Sequence, residues 1–199
     1  MTPDERFTDY YTNFIKRDGA IDLLQWLNYK TDFFTAPAST KYHSCHEGGL
    51  VEHSVKVFER FMKFFSDDDH GMDIESQAIC GLLHDICKAN FYVKEWKNKK
   101  IYCENGSKWD EGGKFEWKTV PGYAIDEKFP FGHGEKSVFL IERWMRLTPE
   151  EAVAIRFHMG MTGDYAYDAA CGAAFRKYPP ALELHIADLQ ASYLDEMEE

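Results

Sequence analysis

Residues 73–89 read DIESQAICGLLHDICKA. Ile74, Ala78, Ile79, Leu82, Leu83 and Ile86 recur at the three-and-four spacing of a helix with one apolar face, and Asp73 stands where an N-cap belongs. The stretch predicts a helix over 73–89 in a mainly α protein. It carries the adjacent polar pair His84-Asp85 near its C-terminal end. Neighbours on a helix are about 100° apart, so both side chains can lean toward one point while Leu82, Leu83 and Ile86 face the core.

Upstream, LVEHSVKVFERFMKFFS predicts a long helix whose apolar stripe runs through Leu50, Val51, Val55, Phe58, Met62 and Phe65. It is entered from a loop, TDFFTAPASTKYHSCHEGG, with Pro37 and the Gly48-Gly49 pair. Before that, residues 2–29 give two helices, with Phe7, Tyr10, Tyr11, Phe14 and Ile15 on the first and Ile21, Leu24 and Leu27 on the second. Gly19 is the natural break between them.

Downstream the texture changes. Residues 90–131 alternate aromatics and charges and contain the turn signals Asn105-Gly106 and Gly112-Gly113, which predict a β-hairpin or small sheet inserted between helices. GHGEKSVFLIERWMRL is amphipathic again. Thr148-Pro149-Glu150-Glu151 has the spacing of a capping box with Pro at the first helical position, so a helix begins there and ends near His158 and Gly160. A short helix around residues 169–177 follows, and Pro179-Pro180 opens a last one carrying Asp188. With no repeat, low-complexity tract or linker in view, residues 1–199 are expected to form a single domain.

Composition narrows the function. The chain has 199 residues, 44% of them hydrophobic, with 15 Phe, 11 Tyr and 5 Trp, enough for a sizeable core. A net charge of −11 gives no electrostatic reward for binding the backbone of long nucleic acids. Five cysteines, Cys45, Cys80, Cys87, Cys103 and Cys171, include no C-x-x-C pair, and no secretory leader or long apolar run appears. The expectation is a reduced, cytoplasmic protein without a membrane span, for which self-association is permitted but not demanded.

The chemistry lies in six residues in the order H…HD…H…H…D: His53, His84, Asp85, His133, His158 and Asp188. Four imidazoles and two carboxylates form a ligand set for one divalent cation or two. Imidazole with carboxylate favours Mn, Fe, Co, Ni or Zn over Ca; Mg is possible. His53 is predicted on one helix, the doublet on the next and Asp188 on the last, so the helices must converge as they do around metals inside helical bundles.

The strings GGLVEHS, LLHDICK, GHGEKS, IRFHMG and HIADLQA resemble the successive motifs of the HD-domain metal-dependent phosphohydrolase superfamily, over most of the chain from about residue 39 to 194. The resemblance implies a helical bundle in which His53, His84, Asp85 and Asp188 bind a metal. It also implies that His133 and His158 complete a second metal site bridged by Asp85, or contact the substrate's phosphate. The segment PASTKYHSCHEGGLVEHS is similar to the approach to the HD domain of bacterial 3′-to-5′ exoribonucleases, where a histidine takes the place of His43. His43 is accordingly a candidate for substrate binding.

Lys88, three residues after Asp85, is a second candidate for the substrate: its ammonium can neutralise a phosphate oxygen. It can equally be a cation placed to suit a helix C-terminus. Some single-metal nucleotidases of the superfamily carry a Glu here, so the lysine departs from their pattern. His46 and His185 are open to a role near the site or to none, and His70 reads as a solvated turn residue. The aromatics Tyr92, Trp96, Tyr102, Trp109, Phe115, Trp117 and Tyr123 suit either a stacking wall over the site or the packed face of a hairpin. Arg143, Arg146, Arg156 and Arg176 are candidate phosphate clamps.

Metal-activated water attacking phosphorus is the reaction this set predicts, with Asp85 holding the ions and His133, His158 and Lys88 steadying the transferred group. The expected substrate is a nucleotide or another small phosphorylated metabolite. Three alternatives share the ligand pattern: an exonuclease acting on short oligonucleotides, a di-iron oxygenase of the same fold, and a metal-stabilised regulatory domain without catalysis.

Overall fold

A computed structural model describes residues 1–41, 44–65, 71–103, 106–107 and 114–196. They form a mainly α protein with one hairpin. The helices are α1 (Pro3–Phe14), α2 (Ala20–Lys30), α3 (Gly49–Phe61), α4 (Ile74–Leu83), α5 (His133–Glu142), α6 (Pro149–Phe157), α7 (Tyr165–Lys177) and α8 (Pro179–Gln190). The strands are β1 (Tyr92–Tyr102) and β2 (Phe115–Ile125), antiparallel, in a register that sets Tyr92 opposite Ile125 and Tyr102 opposite Phe115.

The helix starts at Asp73 and Thr148 follow the sequence signals. Thr2 and Thr148 both make complete capping boxes, with Glu5 and Glu151, and Asp73 and Asp164 accept from the N–H three residues on. Each such cap is worth about 1 kcal/mol. One apolar core runs from Phe7 on α1 to Ala191 beyond α8, through Leu23, Phe33, Leu50, Phe58, Ile79, Leu82, Ile141, Ile155 and Leu184.

Two glycines let the bundle close around the site. A Cβ on Gly81 of α4 would lie 2.7 Å from the Phe58 Cα, and one on Gly134 of α5 would lie 2.1 Å from the Arg156 carbonyl oxygen. Only hydrogen fits at either contact. The first brings together the helices that carry His53 and His84. The second does so for the segments that carry His133 and His158.

The helix over 73–89 is shorter than its apolar spacing implies. α4 stops at Leu83, and residues Ile86–Lys88 form a 3-10 turn after Asp85, whose backbone lies at φ −106, ψ 17. His84 supplies the reason. Its Nδ1 donates to the Gly81 carbonyl at 2.9 Å, the group a continuing helix would pair with the Asp85 N–H. α3 likewise gives way to a 3-10 turn over Met62–Phe65, and α7 starts four residues earlier than predicted, at Tyr165.

The hairpin is not a packed face. Most of both strands is exposed, Trp96 by 74% and Trp117 by 63%, so its alternation does not serve core burial. Trp109, Asn105 and the Gly112-Gly113 pair lie outside the described residues. Among the described residues, no helix is long and apolar enough to cross a membrane.

Candidate metal centre

α3, α4 with the turn after it, α5, α6 and α8 converge on one point, and Asp85 stands at the middle of it. Its Oδ1 faces His133 Nε2 at 2.7 Å and His158 Nε2 at 3.4 Å. Its Oδ2 faces Lys88 Nζ at 2.6 Å, His53 Nε2 at 3.6 Å and His84 Nε2 at 3.7 Å. Asp188 Oδ1 lies 3.2 Å from His53 Nε2. All six residues of the H…HD…H…H…D set are thus brought together. The donor atoms of His53, His84 and Asp188 form one compact group, and those of His84, Asp85 and His158 form another that adjoins it.

Three of the imidazoles are fully buried, and each is oriented from behind. His84 Nδ1 faces the Gly81 carbonyl, His158 Nδ1 the Ile155 carbonyl at 2.6 Å, and His53 Nδ1 a carboxylate oxygen of Glu196 at 3.0 Å. Those partners only accept, so Nδ1 carries a hydrogen and each ring turns its Nε2, the nitrogen that can ligate once any proton on it is lost, toward the centre. His84 and His158 use the same device: each ends its helix by turning back onto the carbonyl three residues earlier.

The chemistry of this donor set fits a divalent cation. Three Nε2 atoms and two carboxylates point at each other, and the buried His158 Nε2 has no hydrogen-bond partner. An unpartnered polar atom is costly inside a protein, and a cation among these donor atoms would give it a partner. Buried groups here can therefore hold a metal ion.

The titration behaviour reports the same field. Burial disfavours a charged His53, but its hydrogen bonds to Asp188 and Glu196 prevail and raise it to about 10. His84 goes the other way, pushed down to about 3 by burial, with the neighbouring imidazoles His158 and His53 adding to the effect against Asp85 and Asp188. Burial opposes the ionised form of Asp85 as well, yet Lys88, His84 and His133 hold its carboxyl well below the usual range. Asp188 is lowered, His53 overcoming its burial, and Lys88 is raised, Asp85 overcoming its burial.

A cleft of about 340 Å³ opens beside the centre, lined by Cys87, Lys88, Phe91, Glu127, Pro130, Gly132, His133 and Lys136. His133, with a third of its side chain exposed, stands between the buried ligands and this cleft. Lys88 reaches the same place because residues three apart eclipse in a 3-10 turn, which aligns its side chain with Asp85. Lys136 is held by Glu127 at 2.9 Å and lies 5.0 Å from the centre of the Phe91 ring.

The remaining candidates fall elsewhere. His43 and His70 lie outside the described residues. His46 faces Glu52 at 3.4 Å, away from the ligand group. His185 touches the centre indirectly, its Nδ1 2.6 Å from the His158 carbonyl. Arg143, Arg146, Arg156 and Arg176 are all exposed, and none lines the cleft. Sequence reasoning missed Lys136, though it sits inside the GHGEKS string, and Glu196, for which the sequence offers no distinguishing signal.

No family model matches this chain, and no solved structure matches it. Among curated proteins it is similar to the dihydroneopterin 2′,3′-cyclic phosphate phosphodiesterase of Methanocaldococcus jannaschii, with 34% identity over 64 residues. The match spans 30% of this chain and 26% of the relative's length.

Proposed function

We propose that this chain is a divalent-metal-dependent phosphohydrolase of the HD-domain type, acting on a phosphoester of a nucleotide or similarly small phosphorylated metabolite. The observation that carries this reading is the position of Asp85, whose two carboxylate oxygens face two different groups of imidazoles. That arrangement would let Asp85 serve both groups of donor atoms if each held an ion. The phosphodiesterase relative supports phosphoester hydrolysis.

His53, His84 and Asp188 would hold one ion, and His133 and His158 the other, with Asp85 shared. A bound divalent ion supplies a Lewis acid for a phosphoryl oxygen and lowers the pKa of water. Lys88 and Lys136 offer ammonium groups at the cleft to hold phosphate oxygens, and Phe91 and Pro130 give it apolar walls. Burial of His53, His84 and His158 keeps bulk water from competing for the donor atoms. Hydrolysis adds one water across the bond: its oxygen joins phosphorus, the P–O bond to the leaving group breaks, and that oxygen takes a proton. With one ion bound rather than two, His133 would instead steady the phosphate from the cleft side.

The test is phosphate-ester turnover by metal-stripped protein reloaded with Mn²⁺, Fe²⁺, Co²⁺, Ni²⁺, Zn²⁺ or Mg²⁺. Substrates should include bis-p-nitrophenyl phosphate, 2′,3′-cyclic nucleotides, mono- to triphosphates and short oligonucleotides. Turnover of a small ester with at least one metal is expected. Oligonucleotide cleavage alone would favour the exonuclease. Oxygen uptake by an iron-loaded protein that releases no phosphate would replace hydrolysis with oxidation.

A further inference from the structure

His84 and His158 sit at helix ends, where a carbonyl three residues back is available to fix the ring. His53 has no such option. It lies inside α3, where backbone carbonyls are engaged in the helix, so its orientation must come from another part of the chain. That part is Glu196.

The Glu196 side chain is fully buried, and both of its oxygens are engaged. Oε1 accepts from His53 Nδ1 at 3.0 Å, and Oε2 accepts from Ser44 Oγ at 2.8 Å in the loop leading into α3. The segment bearing it continues α8 as a π-helical turn over Ala191–Asp195 and breaks at Glu196. It is fastened to α3 itself: Arg60 donates to both Asp195 oxygens, at 2.5 and 2.6 Å, and to Gln190 at 3.0 Å. One stretch of chain thus supplies a carboxylate to each nitrogen of the same imidazole, Asp188 at Nε2 and Glu196 at Nδ1.

We propose that Glu196 is a positioning residue of the metal centre, holding His53 in the Nδ1–H tautomer and strengthening its Nε2 as a donor to the ion. The inference rests on the reading of this centre as a metal site. A carboxylate behind a ligating imidazole fixes its rotation and raises its basicity, and loss of such a partner typically lowers metal affinity 10- to 100-fold.

The experiment measures Co²⁺ and Mn²⁺ dissociation constants of the full chain by competition with a chelating dye, together with the ¹⁵N shifts of the His53 ring. Glu196→Ala should weaken the tighter ion by about 10- to 100-fold and mix the His53 tautomers. Glu196→Gln, whose amide oxygen still accepts from Nδ1, should recover most of the loss. Equal affinity in Glu196→Ala and the wild type overturns the proposal, as does a Glu196→Gln protein that binds ions no more tightly than Glu196→Ala. Failure of the wild type to bind any divalent ion overturns both this proposal and the metal reading beneath it.

Discussion

The Nε2 atoms of His53 and His84 face one another at 3.2 Å, with Asp188 and Asp85 closing the ring around them. A cation held among these donor atoms binds the folded chain and not the unfolded one, so the folded state should gain stability on loading. At a free ion concentration 100 times the dissociation constant the gain is about 2.7 kcal/mol. For a chain of this size that corresponds to a rise in Tm of roughly 5–10 °C. Thermal scans with added Mn²⁺, Co²⁺ or Zn²⁺, against a chelator-treated control, measure it; superimposable curves would remove the case for a metal.

Asp85→Ala should abolish turnover and leave a folded protein poor in metal, because the two oxygens of Asp85 face the two imidazole groups. Activity should fall by at least about 100-fold, the upper range for loss of a partner group at a metal site. Phosphate release, metal content and circular dichroism together check this. Full activity in a folded Asp85→Ala protein would refute the mechanism.

Lys88→Met tests the cleft. The variant keeps most of the aliphatic stem and loses the ammonium that sits 2.6 Å from Asp85 Oδ2. If that charge holds a phosphate oxygen, kcat/KM for a diester should drop by about 10- to 100-fold, in line with the roughly 1.5–3 kcal/mol of a charged hydrogen bond. Metal content should be retained, since Asp85 is freed from its ion pair. Unchanged kcat/KM at saturating metal would leave Lys88 with only the role of neutralising Asp85.

Glu151 predicts an acid limit to stability that is independent of the metal. It is buried, accepts from both terminal nitrogens of Arg17 at 2.7 and 2.8 Å, and accepts from Ser76 and the Thr148 N–H. Burial alone would raise its carboxyl, but these partners, Arg17 foremost, lower it below the ordinary 4.5. A carboxyl depressed on folding stabilises the native state above its unfolded value and loses that contribution as pH falls through the folded one. Urea unfolding of wild type and Glu151→Gln should therefore differ most at neutral pH, and the gap should narrow steadily as pH falls below the ordinary 4.5 of the unfolded carboxyl. A gap that stays constant from pH 7 to pH 3 would show that Glu151 acts by packing alone.

Much of this was legible in the chain. Caps at Asp73 and Thr148, the stripes of α3 and α4, and the order of His53, His84, Asp85, His133, His158 and Asp188 were readable as patterns in the chain. What escaped depends on competition and distance. The end of α4 was hidden because Ile86 continues the apolar period, while the event that stops the helix is a side-chain hydrogen bond from His84 to Gly81. Glu196 was hidden among Asp195, Glu198 and Glu199, acids that the sequence alone cannot rank. Only the path of the chain after α8 selects one. The hairpin aromatics were misleading for a related reason: alternation records a strand, not whether anything covers it.

The span from His53 to Asp188 governs how the site can come into being. No fragment shorter than residues 53–188 contains it, and the loops that must close between its parts exact their entropy before any donor atom meets another. A denatured or nascent chain offers an ion scattered ligands at best, the His84-Asp85 doublet among them. A cation captured by the assembled bundle would act as a latch, holding together α3 and α8, which lie far apart along the chain.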